Sequence, residues 1–226
     1  MKVLIGIPAY NEEQTIEGVI KSLPRKIKGI NKIDILVVDD GSFDNTKNKA
    51  SKSGAKTLVH ISNRGLGGVL RTIFEYARIE DYDMLVTCDA DGQHRGQDIT
   101  KIIEAIIKKR VDVVVGVREY NTKDSPKIKV IINYIANILT FFLCGIYTND
   151  SQSGLRGFNK KAINVINIQT DGMEVSSEIF KEIKQNRLHL GEVSVKAIYT
   201  DYSKMKGQKV SDAPDVLFRL LLRLIR

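Results

Sequence analysis

Five short runs rich in Val, Ile and Leu, separated by stretches of helical periodicity, constrain this chain more than any other feature. The runs are "KVLIGIP", "KIDILVVDD", "KTLVHI", "YDMLVTCD" and "VDVVVGV". Between them lie "NEEQTIEGVIKSL", "NTKNKASKSG", "GGVLRTIFEYARIE" and "ITKIIEAIIKKR". A half-buried strand alternates apolar and polar residues; these runs are nearly continuous, so both of their faces must be covered. Strand and helix in alternation therefore predict an α/β fold, with a mostly parallel, Rossmann-like central sheet and helices on both faces. Ligands of such sheets bind beyond the carboxyl ends of the strands.

That edge collects polar residues from separate segments. Pro8, Tyr10, Asn11 and Glu12 follow the first strand, and Asn11, with Gln14 three residues on, is expected to cap the helix that follows. Asp39 and Asp40 end the second strand; Asp44 is placed to cap the next helix, which leaves Asp39 for a base or ribose. "LVTCDADGQH" places Asp89, Asp91 and Gln93 on alternate residues, which in an extended chain point the same way. Two carboxylates on one face repel unless a cation sits between them, so this segment suits a divalent metal held by hard oxygen ligands. Arg118 follows the fifth strand. "NRGLGGVLRT" has Gly65 and Gly67 but lacks the third glycine of a dinucleotide loop, and it follows the wrong strand; its backbone N–H groups could still meet a phosphate.

Past residue 120 the alternation weakens. "VIINYIANILTFFLCGIY", Val130 to Tyr147, has the length to span a bilayer, but Asn133, Asn137, Thr140 and Gly145 interrupt it. A helix in a membrane interface or in the core is expected there. A turn-rich "TNDSQSGLRGFNKKA", a helix "EVSSEIFKEIKQ", a strand "HLGEVSVKAIY", a basic loop and a terminal helix "VLFRLLLRLIR" follow. The expected organisation is one catalytic domain over 1–210, then an amphipathic helix over 211–226 that meets a membrane or another subunit.

Lys and Arg exceed Asp and Glu by 35 to 27, a formal charge of +8, which suits an anionic partner such as a nucleotide or lipid phosphate. Cys88 and Cys144 are the only cysteines and lie in no CxxC pair, which excludes a disulfide scaffold or zinc ribbon and fits a reducing cytoplasm. No secretory leader is legible in "MKVLIGIPAYNEE".

Taken together, "IPAYNEE", "VVDDGSFDNT", "NRGLGG", "CDADGQH" and "DSQSGLRGF" resemble the family 2 glycosyltransferases of GT-A fold, most of all the dolichyl- and polyprenyl-phosphate sugar synthases. The resemblance runs from about Val3 to Lys209. It implies an inverting transferase moving a sugar from a GDP- or UDP-sugar to a polyprenyl or dolichyl phosphate, with Mg2+ or Mn2+, at the cytoplasmic face of a membrane. It assigns Pro8, Tyr10, Glu12, Val37, Asp39, Asp89, Ala90, Asp91 and Gln93 to the donor nucleotide, with Asp89, Asp91 and Gln93 towards the metal. Lys204 and Lys209 would clamp the donor diphosphate. Arg118, Lys129, Asn133, Ser153 and Arg156 would meet the acceptor, and Asp91, Arg118 and Asp150 would carry catalysis. Lys129 and Asn133 stand where many such synthases have Arg and Ser, and Leu155 where phenylalanine is usual. For a sugar-hydroxyl acceptor instead, a base would be needed, and Asp150 or Glu174 is the candidate; Glu174 and Glu178 share one helical face. A nucleotidyltransferase would need a basic, glycine-rich loop where "PAYNEE" stands; a nucleotide sensor would bind without turnover. No nucleic-acid partner is expected, and a homo-oligomer is compatible with the sequence. His94 reads as a turn cap, while His60 and His189 carry no functional signal.

Overall fold

The structure is a computed structural model describing residues 1–119, 127–196 and 198, the side chains of 127–129 and 132 excepted. Its elements run β1 (Lys2–Ala9), α1 (Ile16–Ser22), β2 (Lys32–Asp39), α2 (Thr46–Lys52), β3 (Lys56–Val59), α3 (Gly65–Ile79), β4 (Met84–Thr87), α4 (Gly96–Lys109) and β5 (Val113–Glu119). Then come α5 (Lys127–Cys144), β6 (Arg156–Asn159), α6 (Lys160–Val165), α7 (Val175–Gln185) and β7 (Leu190–Lys196). One seven-stranded sheet orders them β3-β2-β1-β4-β6-β5-β7, with only β6 antiparallel to its neighbours.

The continuous apolar strands are explained by two cores, one on each face. Val3, Ile5 and Ile7 of β1 and Ile35 and Val37 of β2 meet Ile16 and Ile20 of α1 and Ile99, Ile102 and Ile103 of α4. The intervening Leu4, Leu36 and Val38 pack with Ile73 and Phe74 of α3 and Ile179, Phe180 and Ile183 of α7. Gly6 belongs to the second face because any Cβ there would stand 2.5 Å from Ile73. The expected parallel sheet covered on both faces is thus the observed one.

Several local expectations are corrected. The first helix starts at Ile16, and Asn11 does not cap it: its φ is 52°, and its side chain accepts from the Phe43 N–H instead. β4 stops at Thr87, so the acidic segment is not strand. β6 lies inside the stretch read as turn-rich, and α6 begins at its end. β6, "RGFN", has polar ends and a glycine where β3 and β4 have apolar runs, so no strand signal marks it, and pairing with β4 and β5 creates it. Gly157 lets α4 approach, since a Cβ there would be 2.3 Å from Ile102. α5 covers most of the long apolar stretch, and no helix among the described residues is long and apolar enough to cross a membrane. Residues 204, 209 and 211–226 lie outside the described residues, as does the side chain of Lys129.

Phe158 holds β6 in place, fully buried and edge-on to Phe74 with ring centroids 4.9 Å apart. Phe158→Ala is expected to cost about 3–5 kcal/mol, as other large-to-small core changes do, measured by urea unfolding. A loss below about 1 kcal/mol would mean that this contact does not anchor the strand.

Candidate active site

The sheet opens a crevice between β1 and β4. β1 leads leftward through β2 to β3, whereas β4 joins on its other side, so strand order reverses here. Reversals of this kind are where open α/β sheets bind ligands. β1 and β2 stay paired to Ala9 and Asp39, but β1 and β4 part after Gly6 and Thr87. Pro8 lies just beyond that parting, where its missing N–H leaves no ladder bond unmade.

The acidic segment fills the mouth of the crevice as a turn rather than as extended chain. Asp91 accepts from the Gln93 N–H at 3.0 Å, and Gly92 takes a φ of 79°. The turn still brings Asp89 and Asp91 together. Desolvation, then the negative charge of Asp89, pushes the Asp91 carboxyl up to about 6. Asp89 moves the other way: burial opposes its ionisation, but His94, Arg118 and Arg156 outweigh it and hold the carboxyl low. His94 Nε2 lies 3.2 Å from Asp89 Oδ2, with its ring buried beneath the turn. His94 is therefore a partner of the site's carboxylate rather than a plain turn cap. Its place directly after the acidic segment was the available signal.

The antiparallel β6 delivers its preceding loop to the same edge. Asp150 is wholly buried and takes both arms of the Arg118 fork at 2.7 Å, plus the Arg118 N–H at 3.1 Å. Both oxygens being committed to a guanidinium, Asp150 is unsuited to act as the general base the sequence offered. Arg156 is corrected too. It is buried, donates to the carbonyls of Ser153, Ser151 and Ser176, and stacks over Phe180, so it braces the loop instead of facing an acceptor. Burial lowers its guanidinium to about 10, against the pull of Asp150 and Asp89. Asn133 and Ser153 are buried nearby, each with an oxygen lacking a hydrogen-bond partner among the described residues. Gly154 has a sharper role: a Cβ there would lie 2.2 and 2.4 Å from the two Asp89 oxygens. Only glycine lets that carboxylate rest on the loop.

The second strand's two aspartates divide their work. Asp39 is buried and accepts from the Ser42 N–H at 2.9 Å. Asp40 accepts from the N–H groups of Arg64 and Gly65 at 2.9 and 2.8 Å, and lies 2.7 Å from His60 Nδ1. It thus occupies the N-terminus of α3, where a phosphate had been a possibility. Gly67 is required by packing, because a Cβ would meet the Thr170 carbonyl at 2.0 Å. Val37 and Ala90 are core residues, so their side chains contribute the floor beneath the crevice. Tyr10 is exposed at its rim. Glu12 bonds Thr15 Oγ1 through its carboxylate and Thr46 Oγ1 through its N–H. Glu178 does not face the cleft: it is buried and accepts from the N–H groups of Gln169 and Thr170.

Fold and site together define a nucleotide-sugar transferase of GT-A architecture. Glucosyl-3-phosphoglycerate synthase from Mycobacterium tuberculosis superposes with a TM-score of 0.74 at 18% identity, covering 98% of this chain and 79% of that one. The same enzyme in complex with Mn2+ and UDP-glucose gives 0.70 at 18% identity, with 98% and 78% covered. The sequence matches glycosyl transferase family 2 over residues 4–167, and the chain belongs to that family. It is 37% identical to the UDP-N-acetylglucosamine–dolichyl-phosphate N-acetylglucosaminyltransferase of Methanococcus voltae, over 97% of this chain and 95% of that protein. It is 27% identical to the dolichol-phosphate mannosyltransferase of Pyrococcus furiosus, over 98% of this chain and 64% of that protein.

Gly154→Ala tests the contact between loop and carboxylate. The short Asp89 side chain can rotate away, so stability should change by less than about 1 kcal/mol. Sugar transfer should fall at least about tenfold, equivalent to about 1.4 kcal/mol in the barrier, because the carboxylate is displaced. Unchanged turnover would show that the position of Asp89 is not critical.

Proposed function

We propose that this chain transfers a sugar, with inversion, from a GDP- or UDP-sugar to a polyprenyl or dolichyl phosphate at a membrane surface. One juxtaposition carries the reading: the acidic turn of Asp89 and Asp91 lies beside a cation, Arg118, that a buried carboxylate locks in place. Crowded carboxylates suit a bound cation, and a fixed guanidinium suits an incoming anion. The names of the relatives from Methanococcus voltae and Pyrococcus furiosus support the acceptor class.

The acidic turn fits a divalent metal. Its donors are hard oxygens, and the raised Asp91 carboxyl marks an uncompensated pair of charges. Asp91, with Asp89 and Gln93, would hold Mg2+ or Mn2+, which when bound would neutralise charge on the donor diphosphate. Among the described residues no group of three or more His, Cys, Asp or Glu side chains is placed to hold a metal ion, so the reading rests on the Asp89 and Asp91 pair with Gln93. Pro8, Tyr10, Glu12 and Asp39 line the donor side, and Lys204 and Lys209 would add charge against the diphosphate.

In the proposed step an acceptor phosphate oxygen attacks the anomeric carbon opposite the diphosphate. The new carbon–oxygen bond forms as the bond to the diphosphate breaks, and the nucleoside diphosphate leaves with the electron pair. The attacking oxygen is already anionic, so no side chain need remove a proton. That agrees with Asp150 being spent on Arg118. A sugar-hydroxyl acceptor stays as a second reading because of Glu174, whose carboxylate lies over Gly172 with no hydrogen-bond or ion-pair partner among the described residues. Glu174→Gln should leave lipid-phosphate transfer intact and abolish hydroxyl transfer.

Asp91→Asn should reduce turnover at least about a hundredfold, about 2.7 kcal/mol in the barrier, without loss of fold. Full activity in that variant, or in the wild type with excess chelator, would refute the metal assignment. A proton and the metal compete for Asp91, so Mn2+ affinity should hold above pH 6 and fall about tenfold per unit below it. Calorimetry across that range reads the slope, and an affinity independent of pH would exclude Asp91 as a ligand.

Arg118 is best tested by Arg118→Lys, because alanine would leave the Asp150 carboxylate buried without a counter-charge. The lysine keeps charge but loses the fork, so the acceptor KM should rise while donor affinity by calorimetry stays level. Collapse of donor affinity would move Arg118 to the diphosphate.

A further inference from the structure

The loop after β2 is latched to the loop after β1 by reciprocal hydrogen bonds. The Asn11 N–H donates to Ser42 Oγ at 2.8 Å, and the Phe43 N–H donates back to Asn11 Oδ1 at 2.9 Å. The N–H groups of Glu12 and Glu13 extend the latch to Thr46 Oγ1 and Asp44 Oδ2, at 2.7 and 3.1 Å. Asn11 takes a φ of 52° within it, a left-handed conformation that residues with a Cβ enter at a cost and asparagine tolerates best. Strain of this kind persists only where the surroundings enforce it, and it clusters at ligand sites. The latch fixes two features in place.

One is a bare aromatic ring. Phe43 is 90% exposed on a backbone that is tied down, and it stacks on no other ring among the described residues. The other is a half-used carboxylate. Asp39 is 1% exposed; its Oδ1 accepts from the Ser42 N–H at 2.9 Å, and its Oδ2 has no hydrogen-bond donor among the described residues. A buried carboxylate oxygen left unbonded is costly, so a donor from a ligand belongs there. Single apolar residues on a surface are ordinary. A ring held rigid one residue from the group that orients an unsatisfied buried acceptor is not.

We infer that Phe43 is a stacking platform for the nucleobase of the donor, and that Asn11 is its positioning residue. The role rests on the proposed nucleotide-sugar donor and adds a contact to it. A ribose hydroxyl donates to Asp39 Oδ2, and the base attached to that ribose is then within a few ångströms of Phe43, which follows Ser42 directly in the chain. Tyr10, 38% exposed and next to Asn11, stands on the other loop of the latch. Phenylalanine offers a base its face and no hydrogen bond, so the contact strengthens binding of any nucleotide and chooses little between uracil and guanine. Because the latch is already formed, little ordering of the loop opposes binding.

Calorimetry on the full chain with Mn2+, titrated separately with UDP, GDP and inorganic pyrophosphate, tests the stacking. Phe43→Ala should weaken the nucleoside diphosphate that the wild type binds at least about fivefold, at unchanged melting temperature. Its affinity for pyrophosphate, which has no base, should stay level. Phe43→Trp should restore nucleotide affinity. Ile79→Ala, which trims a comparably bare side chain at the far end of α3, should not alter it. In turnover, Phe43→Ala should raise the donor KM by the same factor and keep kcat at saturating donor. Asn11→Gly permits the same backbone turn but removes the Oδ1 acceptor; it should weaken nucleotide binding in the wild type and much less in the Phe43→Ala background. Equal nucleotide affinity in Phe43→Ala, or an equal loss for pyrophosphate, would overturn the inference. So would a wild-type dimer in sedimentation velocity that Phe43→Ala converts to monomer, since the ring would then belong to a second copy. A wild type that binds neither nucleotide would sink the stacking and the donor reading together. One that binds a nucleotide through Phe43 but transfers to no polyprenyl phosphate would sink the transfer reading alone.

Discussion

The pairing of Arg118 with Asp150 is the interaction on which the rest of the site depends. A carboxylate with no exposure to water is tolerable only if both oxygens are satisfied, and the Arg118 fork and backbone N–H do that. The pair joins the end of β5 to the loop before β6. Asn137 fastens α5 to the residues on either side of Asp150. Arg156 closes the same loop from below through the carbonyls of Ser151 and Ser153. Strand, loop and helix thus share one electrostatic anchor.

The anchored loop also sets the electrostatics of the acidic turn. Gly154 supplies a surface without a side chain on which Asp89 rests. From there Asp89 feels His94, Arg118 and Arg156 and stays ionised, whereas Asp91 feels chiefly burial and the charge of Asp89. Adjacent carboxylates with opposite shifts follow from which neighbours each can see. One keeps its charge through the protein, and the other is left wanting a cation.

Much of this was legible in the residues. Continuous apolar strands announced a two-faced sheet because each strand had to be covered twice, and the acidic and basic groups gathered at one edge because parallel strands end together. What escaped was decided by partners distant in sequence. Asp40 and Asp39 look alike at a strand end, yet only the fold shows that Asp40 is taken by the start of α3. Asn11 and Asp150 were misjudged for the same reason: capping and base catalysis are local readings, and their actual partners lie 32 residues away.

By itself, then, the sequence determined the sheet, its two covered faces, the crevice-forming edge and the motifs of a family 2 glycosyltransferase, because periodicity and residue type act locally. The tertiary structure decided which carboxylate is open and which is spent, the antiparallel entry of β6, and the outward turn of the apolar face of α5. The last is the plainest case. Periodicity shows that a helix has an apolar side, but which side meets the protein is chosen by the hydrogen bonds Asn137 makes to the loop, and no local pattern contains them.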